Sequence, residues 1–309
     1  MKKAALEWKK IYSSPDFHRE YLYEGKLGFF YENEENVFHE SVFRIWSPFA
    51  EAVMIRFYRD GSEGDAFAAY EMKRLEKGVW EYRAKEDLHG IYYDFALCID
   101  GEAVISTDVY AKACGINGKR SMAVDLRRTD PEDWDKDEAP ENGPEQVIYE
   151  THVKEFSWDP AGGFPEETRG KYRAFCCRDT TLYGDGVHPT GLSWLKELGV
   201  THVQLMPVYD YGSVDEAGDP LQFNWGYDPM NWNVPEGSYS SDPARGEIRI
   251  RELKEAVQSL HRQGFRVIMD VVYNHTYSLD TAMQRTVPWY YYRVKEDGTL
   301  SNGSACGND

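Results

Sequence analysis

The chain has 309 residues, with 53 acidic against 35 basic side chains and a formal net charge of −18 at pH 7. This excess of acid excludes general binding to nucleic acids or anionic membranes, since both need concentrated Lys and Arg. No stretch approaches the roughly 18 consecutive apolar residues of a membrane-spanning helix. Aromatic residues make up 15% of the chain, and flat rings serve both β-sheet cores and sugar recognition.

The amino terminus and the cysteines both predict a cytoplasmic protein. The first ten residues carry charge but no apolar segment of the kind found in secretion signals. The cysteines number five, and none of them forms a Cys-x-x-Cys pair. This pattern favours reduced thiols over a disulfide framework or a zinc site.

Short alternating runs dominate the first 125 residues. Four runs rich in aromatic and β-branched residues are typical of strands, at residues 43–46, 53–58, 80–83 and 91–97. The dipeptides Asp60-Gly61 and Asp100-Gly101 are turn signals between such runs. We therefore predict a first domain over residues 1–125, an antiparallel, immunoglobulin-like β-sandwich.

Residues 126–145 are predicted to be a solvated linker. Nine acids and three prolines lie between residues 125 and 145, and a segment of this composition buries little surface.

From residue 146 the pattern changes to alternating strands and helices. Apolar strands are predicted at 147–149, 202–208 and 267–272, and helical stripes at 192–198 and 253–260. Thr190 is the expected N-cap of the first helix, and Gly199 and Gly264 are expected to end the two helices. Continuous apolar strands are typical of parallel sheets covered on both faces. Residues 146–309 are therefore predicted to be α/β, as the start of a TIM (β/α)8 barrel.

Two polar groups are candidates for a functional site. Asp270 interrupts the third apolar strand and is followed by Asn274 and His275. A buried, hydrogen-bonded Asp with a purely structural role would give the same sequence pattern. The second group is the aromatic segment 223–229, which contains Trp225, Tyr227 and Asp228. It lies in a long connection, and such connections are usually functional.

These segments together resemble the starch-acting glycoside hydrolases of the α-amylase clan (glycoside hydrolase family 13). The likeness is carried by residues 203–211, 223–229 and 270–276. Asn-Trp-Gly-Tyr-Asp-Pro at 224–229 is similar to the segment that distinguishes type I pullulanases, with Phe223 where Tyr is typical. Residues 43–48 and 108–122 resemble the start and end of the starch-type carbohydrate-binding module that precedes such barrels.

The resemblance implies substrate-binding roles for both groups. Asp270 and His275 would hydrogen-bond the sugar at the cleaved bond, Tyr227 would stack beneath its ring, and Asn274 would organise the loop. Trp225 and Asp228, in the same segment as Tyr227, are also expected to bind substrate. No cofactor is expected to be required. The resemblance also makes calcium binding possible, but the sequence shows no cluster of acids with the spacing of calcium ligands.

No catalytic residue is expected within this chain. The resemblance places the nucleophilic Asp and the acid/base Glu on later barrel strands, beyond Asp309. Glu296 and Asp297 lie in a Lys-Glu-Asp-Gly turn and are predicted to be solvated. Only 164 residues follow residue 145, whereas a (β/α)8 barrel typically needs about 250, so about three barrel strands are expected.

The resemblance implies hydrolysis of α-1,6-glucosidic links in pullulan, starch amylopectin or glycogen by a full-length enzyme with a retaining mechanism. The 309-residue chain itself is expected to be inactive. The alternatives are a non-catalytic α-glucan-binding module and an isoamylase- or branching-enzyme-like protein. An incomplete parallel sheet leaves an unpaired edge, which also predicts self-association.

Overall fold

The computed structural model describes residues 3–32 and 40–309. The strands are β1 Gly28–Glu32, β2 Glu40–Trp46, β3 Ala50–Tyr58, β4 Ala68–Glu71, β5 Lys73–Arg74, β6 Val79–Ala84, β7 Tyr92–Ile99, β8 Glu102–Ser106, β9 Ser121–Met122, β10 Ile148–Thr151, β11 His202–Leu205, β12 Tyr209–Tyr211, β13 Pro229–Pro235 and β14 Arg266–Met269. The α-helices are α1 Ala5–Tyr12, α2 Pro15–Tyr21, α3 Gly191–Glu197, α4 Gly246–Arg262 and α5 Ala282–Thr286. Within these residues, no helix is both long enough and apolar enough to cross a membrane.

Two antiparallel sheets form the N-terminal sandwich. One sheet has the strand order β1-β2-β6-β5 and the other β4-β3-β7-β8, with β9 pairing with β7. The ring of Phe43 on β2 is fully buried, and its centroid lies 5.4 Å from that of Phe57 on β3 and 4.8 Å from that of Tyr93 on β7. The predicted antiparallel sandwich is confirmed, and aromatic side chains from both sheets meet in its core.

Helices α1 and α2 precede the sandwich and were not predicted. Pro15 begins α2 after Ser14, whose hydroxyl oxygen accepts a hydrogen bond from the backbone N–H of Phe17 at 3.2 Å. On α1, the Tyr12 hydroxyl donates to the carbonyl of Pro288 at 2.7 Å. The helix pair therefore ties the N-terminal segment to residues far along the chain.

Residues 126–137 of the predicted linker lie along helix α4. The Lys254 ammonium donates to the carbonyl of Leu126 at 2.8 Å, and Nδ1 of His261 lies 2.7 Å from Oδ2 of Asp137. Few side chains of the segment are buried. Its oxygen atoms nevertheless pair with polar groups on one face of α4, which composition alone did not indicate. The domain boundaries at 125 and 145 stay a prediction.

The second half of the chain begins with a parallel sheet of strands β10, β11 and β14, in that order. In register, Thr151 lies opposite Leu205, and Leu205 lies opposite Met269. Helix α3 lies in the first crossover and α4 in the second. Gly199 follows α3 with a φ of +73°, as its predicted role requires. This parallel order with helical crossovers confirms the predicted α/β start of a barrel.

A buried ion pair joins the sandwich to the barrel sheet. Arg249 on α4 is fully buried, and its Nη1 and Nη2 donate to the two carboxylate oxygens of Glu216 at 2.8 and 2.9 Å. Glu216 also accepts from the backbone N–H of Asn117 at 2.7 Å, and its own N–H donates to the Asn117 side-chain oxygen at 2.8 Å. One carboxylate is therefore shared by the barrel and by the exit of the sandwich.

Two further buried carboxyls, those of Asp210 and Glu236, complete an acid cluster with Glu216. Ligand atoms of the three acids lie within 4.8 Å of one another. Burial, together with the charge of Glu216, raises the pKa of Asp210 to about 7 and that of Glu236 well above its ordinary value. Among the residues that the structure describes, none donates a hydrogen bond to Oδ1 of Asp210, so a proton in the cluster would satisfy it. The acids lie 26 positions apart in the sequence, which is why no ligand spacing was visible.

The substitution Asp210→Asn should make the free energy of unfolding less dependent on pH. The folded protein holds the Asp210 pKa at about 7, against about 3.9 in an unfolded chain. Between these values only the folded state binds the proton, so this contribution to stability falls as the pH rises from about 4 to about 7. The difference in unfolding free energy, wild type minus variant, should therefore fall over that range in urea denaturation.

The matched control is Asp135→Asn, which changes an exposed Asp. The difference in unfolding free energy between wild type and this variant should be the same at each pH. A difference for Asp210→Asn that is equally flat would contradict the buried proton.

Candidate functional site

The carboxyl ends of the three parallel strands form the edge where ligands bind in α/β sheets. Thr151, Leu205 and Met269 end their strands at the same level of the sheet. The backbone N–H of Asp270 continues the pairing by donating to the carbonyl of Leu205 at 3.0 Å. The Asp270 side chain is partly exposed, so its carboxylate is presented at this edge.

Asp270, Tyr227 and His275 form one hydrogen-bonded group. The Tyr227 hydroxyl donates to Oδ2 of Asp270 at 2.7 Å. Burial, followed by this bond to the carboxylate, raises the pKa of Tyr227 to about 12. His275 is buried and donates from Nε2 to the Tyr227 carbonyl at 2.7 Å, while its Nδ1 lies 2.7 Å from Oδ1 of Asn274. The structure therefore brings together four of the six predicted site residues.

The other two predicted residues, Trp225 and Asp228, lie in the same loop with different surroundings. The Trp225 side chain is 58% exposed, so its ring is open to solvent. Asp228 accepts a hydrogen bond on Oδ2 from the Ser213 hydroxyl, and its buried Oδ1 has no partner in the described part of the chain. Burial raises the pKa of Asp228. Asp228 therefore anchors the loop, whereas Trp225 presents a ring.

The loop turns sharply at Gly226. Its φ is +88°, in the left-handed region, and a Cβ at this position would lie 3.0 Å from Cβ of Pro207. The backbone N–H of Gly226 donates to Oδ1 of Asn224 at 2.6 Å. Both the backbone conformation and the close approach to the end of β11 require glycine here.

Sequence reasoning missed Trp232, which supports the strand end after Asp270. Its Nε1 donates to the carbonyl of Val272 at 2.6 Å, and its ring lies 5.8 Å from that of the exposed Tyr273. A signal was present, because Trp232 stands between two Asn residues in a short run directly after the aromatic segment. An aromatic residue among polar neighbours is a candidate for contact near a site.

Comparison with known proteins agrees with this arrangement. Residues 26–111 match the sequence model of carbohydrate-binding module 48 (isoamylase N-terminal domain), and residues 181–297 match that of the α-amylase catalytic domain. The two matched segments lie in the order expected from the motifs, first the module and then the catalytic domain. The resemblance found from the motifs is thereby confirmed.

Its relatives include pullulanases. The chain is 38% identical over 310 residues to pullulanase from Bacillus subtilis (strain 168), covering 99% of this chain and 41% of that protein. Among solved structures, pullulanase from Paenibacillus barengoltzii in complex with maltohexaose and α-cyclodextrin has 41% identity and a TM-score of 0.89, over 96% of this chain and 46% of that one. For pullulanase from Anoxybacillus sp. LM18-11 with maltotetraose the identity is 35% and the TM-score 0.85, over 96% and 42%. The chain thus spans less than half the length of these relatives.

The substitution Gly226→Ala should destabilise the protein more than Gly186→Ala. Both glycines have positive φ, +88° and +72°, but only a Cβ at 226 would meet other atoms within 4 Å. The backbone conformation alone costs about 1–2 kcal/mol, and the contact with Pro207 should add to it. Unfolding free energies from urea denaturation compare the two variants. Equal losses of unfolding free energy in the two variants would show that the structure relaxes around the new contact with Pro207 at no energetic cost.

Proposed function

We propose that this chain binds branched α-glucans at the carboxyl ends of β10, β11 and β14, as part of a pullulanase-like hydrolase of α-1,6-glucosidic bonds. The observation that carries the proposal is the hydrogen-bonded group of Asp270, Tyr227 and His275, together with the exposed ring of Trp225 two residues before Tyr227 in the same loop. A carboxylate accepts hydrogen bonds from sugar hydroxyls, and an aromatic ring packs against the apolar face of a pyranose. Two pullulanases of similar structure were solved with maltooligosaccharides, which supports this class of ligand.

The geometry supports different roles for the members of the site. Asp270 is partly exposed and retains an oxygen beyond the one that accepts from Tyr227, which suits direct contact with a hydroxyl. His275 is buried and donates a hydrogen bond from Nε2 to the Tyr227 carbonyl. This bond suits a residue that holds Tyr227 in place. Direct contact of His275 with the sugar, implied by the family resemblance, stays a prediction.

We assign the bond-breaking step to residues other than these. A retaining glycosidase needs a nucleophilic carboxylate and an acid/base carboxyl about 5–5.5 Å apart. Asp270 accepts the Tyr227 hydroxyl, and Asp228 is held by Ser213, so neither is placed as a free nucleophile. In this proposal the nucleophile and the acid/base belong to further β/α units of an α-amylase catalytic domain, and the 309-residue chain binds glucan without cleaving it.

We propose that glucan binding needs no metal ion. The acid cluster of Asp210, Glu216 and Glu236 has the oxygen donors that calcium prefers. However, the Arg249 guanidinium already binds both Glu216 oxygens and lies 3.7 Å from Oδ1 of Asp210. A cation placed there would lie against a buried positive charge.

Titration calorimetry with a branched maltooligosaccharide tests the glucan site. Trp225→Ala and Asp270→Asn should each weaken binding by roughly tenfold or more, since each removes a direct contact. Tyr183→Ala is the control, because Tyr183 is also exposed but belongs to a different loop. Release of reducing ends from pullulan by the same chain should be undetectable.

Two outcomes would contradict the proposal in different ways. A wild-type chain that does not bind branched oligosaccharides would overturn the glucan site. A chain that binds and also hydrolyses pullulan would show that its own carboxyls perform the catalysis.

We also propose that the open edges of the parallel sheet allow the chain to self-associate. Strands β10 and β14 each pair on one side only in the described sheet, and Ile148 and Met269 on these strands are about half exposed. Unpaired strand edges with apolar side chains favour pairing with another chain.

Sedimentation velocity tests this association. The wild-type chain should form dimers or larger species as its concentration rises, and Ile148→Lys should shift it toward monomer because a charge opposes edge pairing. Leu198→Lys, at the exposed end of α3, is the control and should leave the association unchanged. A wild-type chain that stays monomeric at the highest soluble concentration would refute the proposal.

A further inference from the structure

His152 follows strand β10 and is buried against the loop that carries Tyr227. Its Nε2 lies 2.8 Å from the carbonyl oxygen of Asn224, and its ring centroid lies 4.8 Å from that of Phe223. A side chain from the end of one strand thus holds the backbone of the loop that follows another strand.

The partners of His152 determine which ring nitrogen carries the proton. Nδ1 lies 3.2 Å from the backbone N–H of Lys154 and 3.3 Å from that of Glu155, so it must accept. A neutral imidazole has one N–H, which therefore belongs to Nε2 and is donated to the Asn224 carbonyl. The hydroxyl oxygen of Tyr239 lies 2.9 Å from Nε2. It accepts a hydrogen bond from the Tyr211 hydroxyl, with 3.1 Å between the two oxygens.

The bond from His152 bears on the glucan site through a short path. It holds the carbonyl of Asn224, whose side chain accepts from the N–H of Gly226 at 2.6 Å. The next residue, Tyr227, donates its hydroxyl to Asp270. We infer that His152 is a positioning residue that sets Tyr227 against Asp270 in the glucan site, an inference that rests on the proposed function.

This geometry tolerates only the neutral ring. Protonation would place a second N–H on Nδ1, directed at two backbone N–H donors. Burial lowers the pKa of His152, the Lys154 ammonium lowers it further, and the bond to the Asn224 carbonyl and the Glu155 carboxylate oppose that shift. The hydroxyls of Tyr239 and Tyr211 are the other titratable groups on this side of the ring, and burial raises the pKa of both. The loop should therefore loosen only at acidic pH, below the ordinary histidine pKa of about 6.5.

Two substitutions separate the nitrogen that donates from the one that accepts. In His152→Gln the side-chain amide nitrogen can occupy the place of Nε2 and donate to Asn224. In His152→Asn the side chain reaches only as far as Nδ1, and the bond to Asn224 is lost. We expect Gln to retain glucan affinity within about threefold and Asn to weaken it roughly tenfold.

The pH profile is a readout that a packing defect would not reproduce. Wild-type affinity should decline only as the pH falls below the ordinary histidine pKa of about 6.5 and His152 becomes protonated. His152→Gln should lose that part of the decline because it has no group to titrate. Adding Tyr227→Phe should reduce the effect of His152→Asn, since the two changes act on the same contact. Fully additive losses would show that His152 does not act through Tyr227.

Hydrogen–deuterium exchange of residues 223–228 tests the positioning without any ligand. Exchange should be faster in His152→Asn than in wild type or His152→Gln, with the sandwich strands unchanged. Equal exchange in all three proteins would overturn the inference. If the wild-type chain does not bind glucan, the proposed function fails, and the exchange rates still decide whether His152 holds the loop.

Discussion

The ion pair between Arg249 and Glu216 sets how the two halves of the chain meet. The guanidinium is fully buried, and besides Glu216 it binds the carbonyls of Pro235 and Pro243. Removing one partner of such a pair leaves a buried charge uncompensated, which typically costs about 3–5 kcal/mol. Because Glu216 also accepts from Asn117 at the exit of the sandwich, the same interaction orients the sandwich on the barrel sheet.

The strand-end site depends on this junction through the chain itself. Asp210 and Glu236 of the acid cluster lie in or next to β12 and β13, and the long loop between these strands carries Trp225, Tyr227 and Asp228. At its far end the loop is closed by Asp228, whose carbonyl accepts from Gly212. Polar contacts from the buried side chains of His152 and His275 hold the rest, so the exposed groups of the site are supported by residues that solvent scarcely reaches.

Local patterns in the sequence predicted most of the regular structure. Alternation with aromatic residues found strands β2, β3, β6 and β7, and apolar runs with capping residues found α3, α4 and the three parallel strands. The strand-end group of Asp270 and His275 was visible because a carboxylate inside an apolar strand is costly unless it has a role. Helices α1 and α2 were not predicted from the sequence because they are short and are stabilised by tertiary contacts, such as that of Tyr12 with Pro288.

The sequence alone determined the resemblance to the α-amylase clan, the succession of a sandwich and a barrel start, and the residues that meet at the strand ends, since periodicity and motifs are properties of neighbouring residues. The tertiary structure decided which polar atoms, far apart in the chain, pair with each other. Examples are Arg249 with Glu216, the segment 126–137 with α4, and His152 with the carbonyl of Asn224. These partners lie between 33 and more than 100 positions apart. Such pairing follows from how strands and helices pack, because a buried donor must find an acceptor wherever the fold places one.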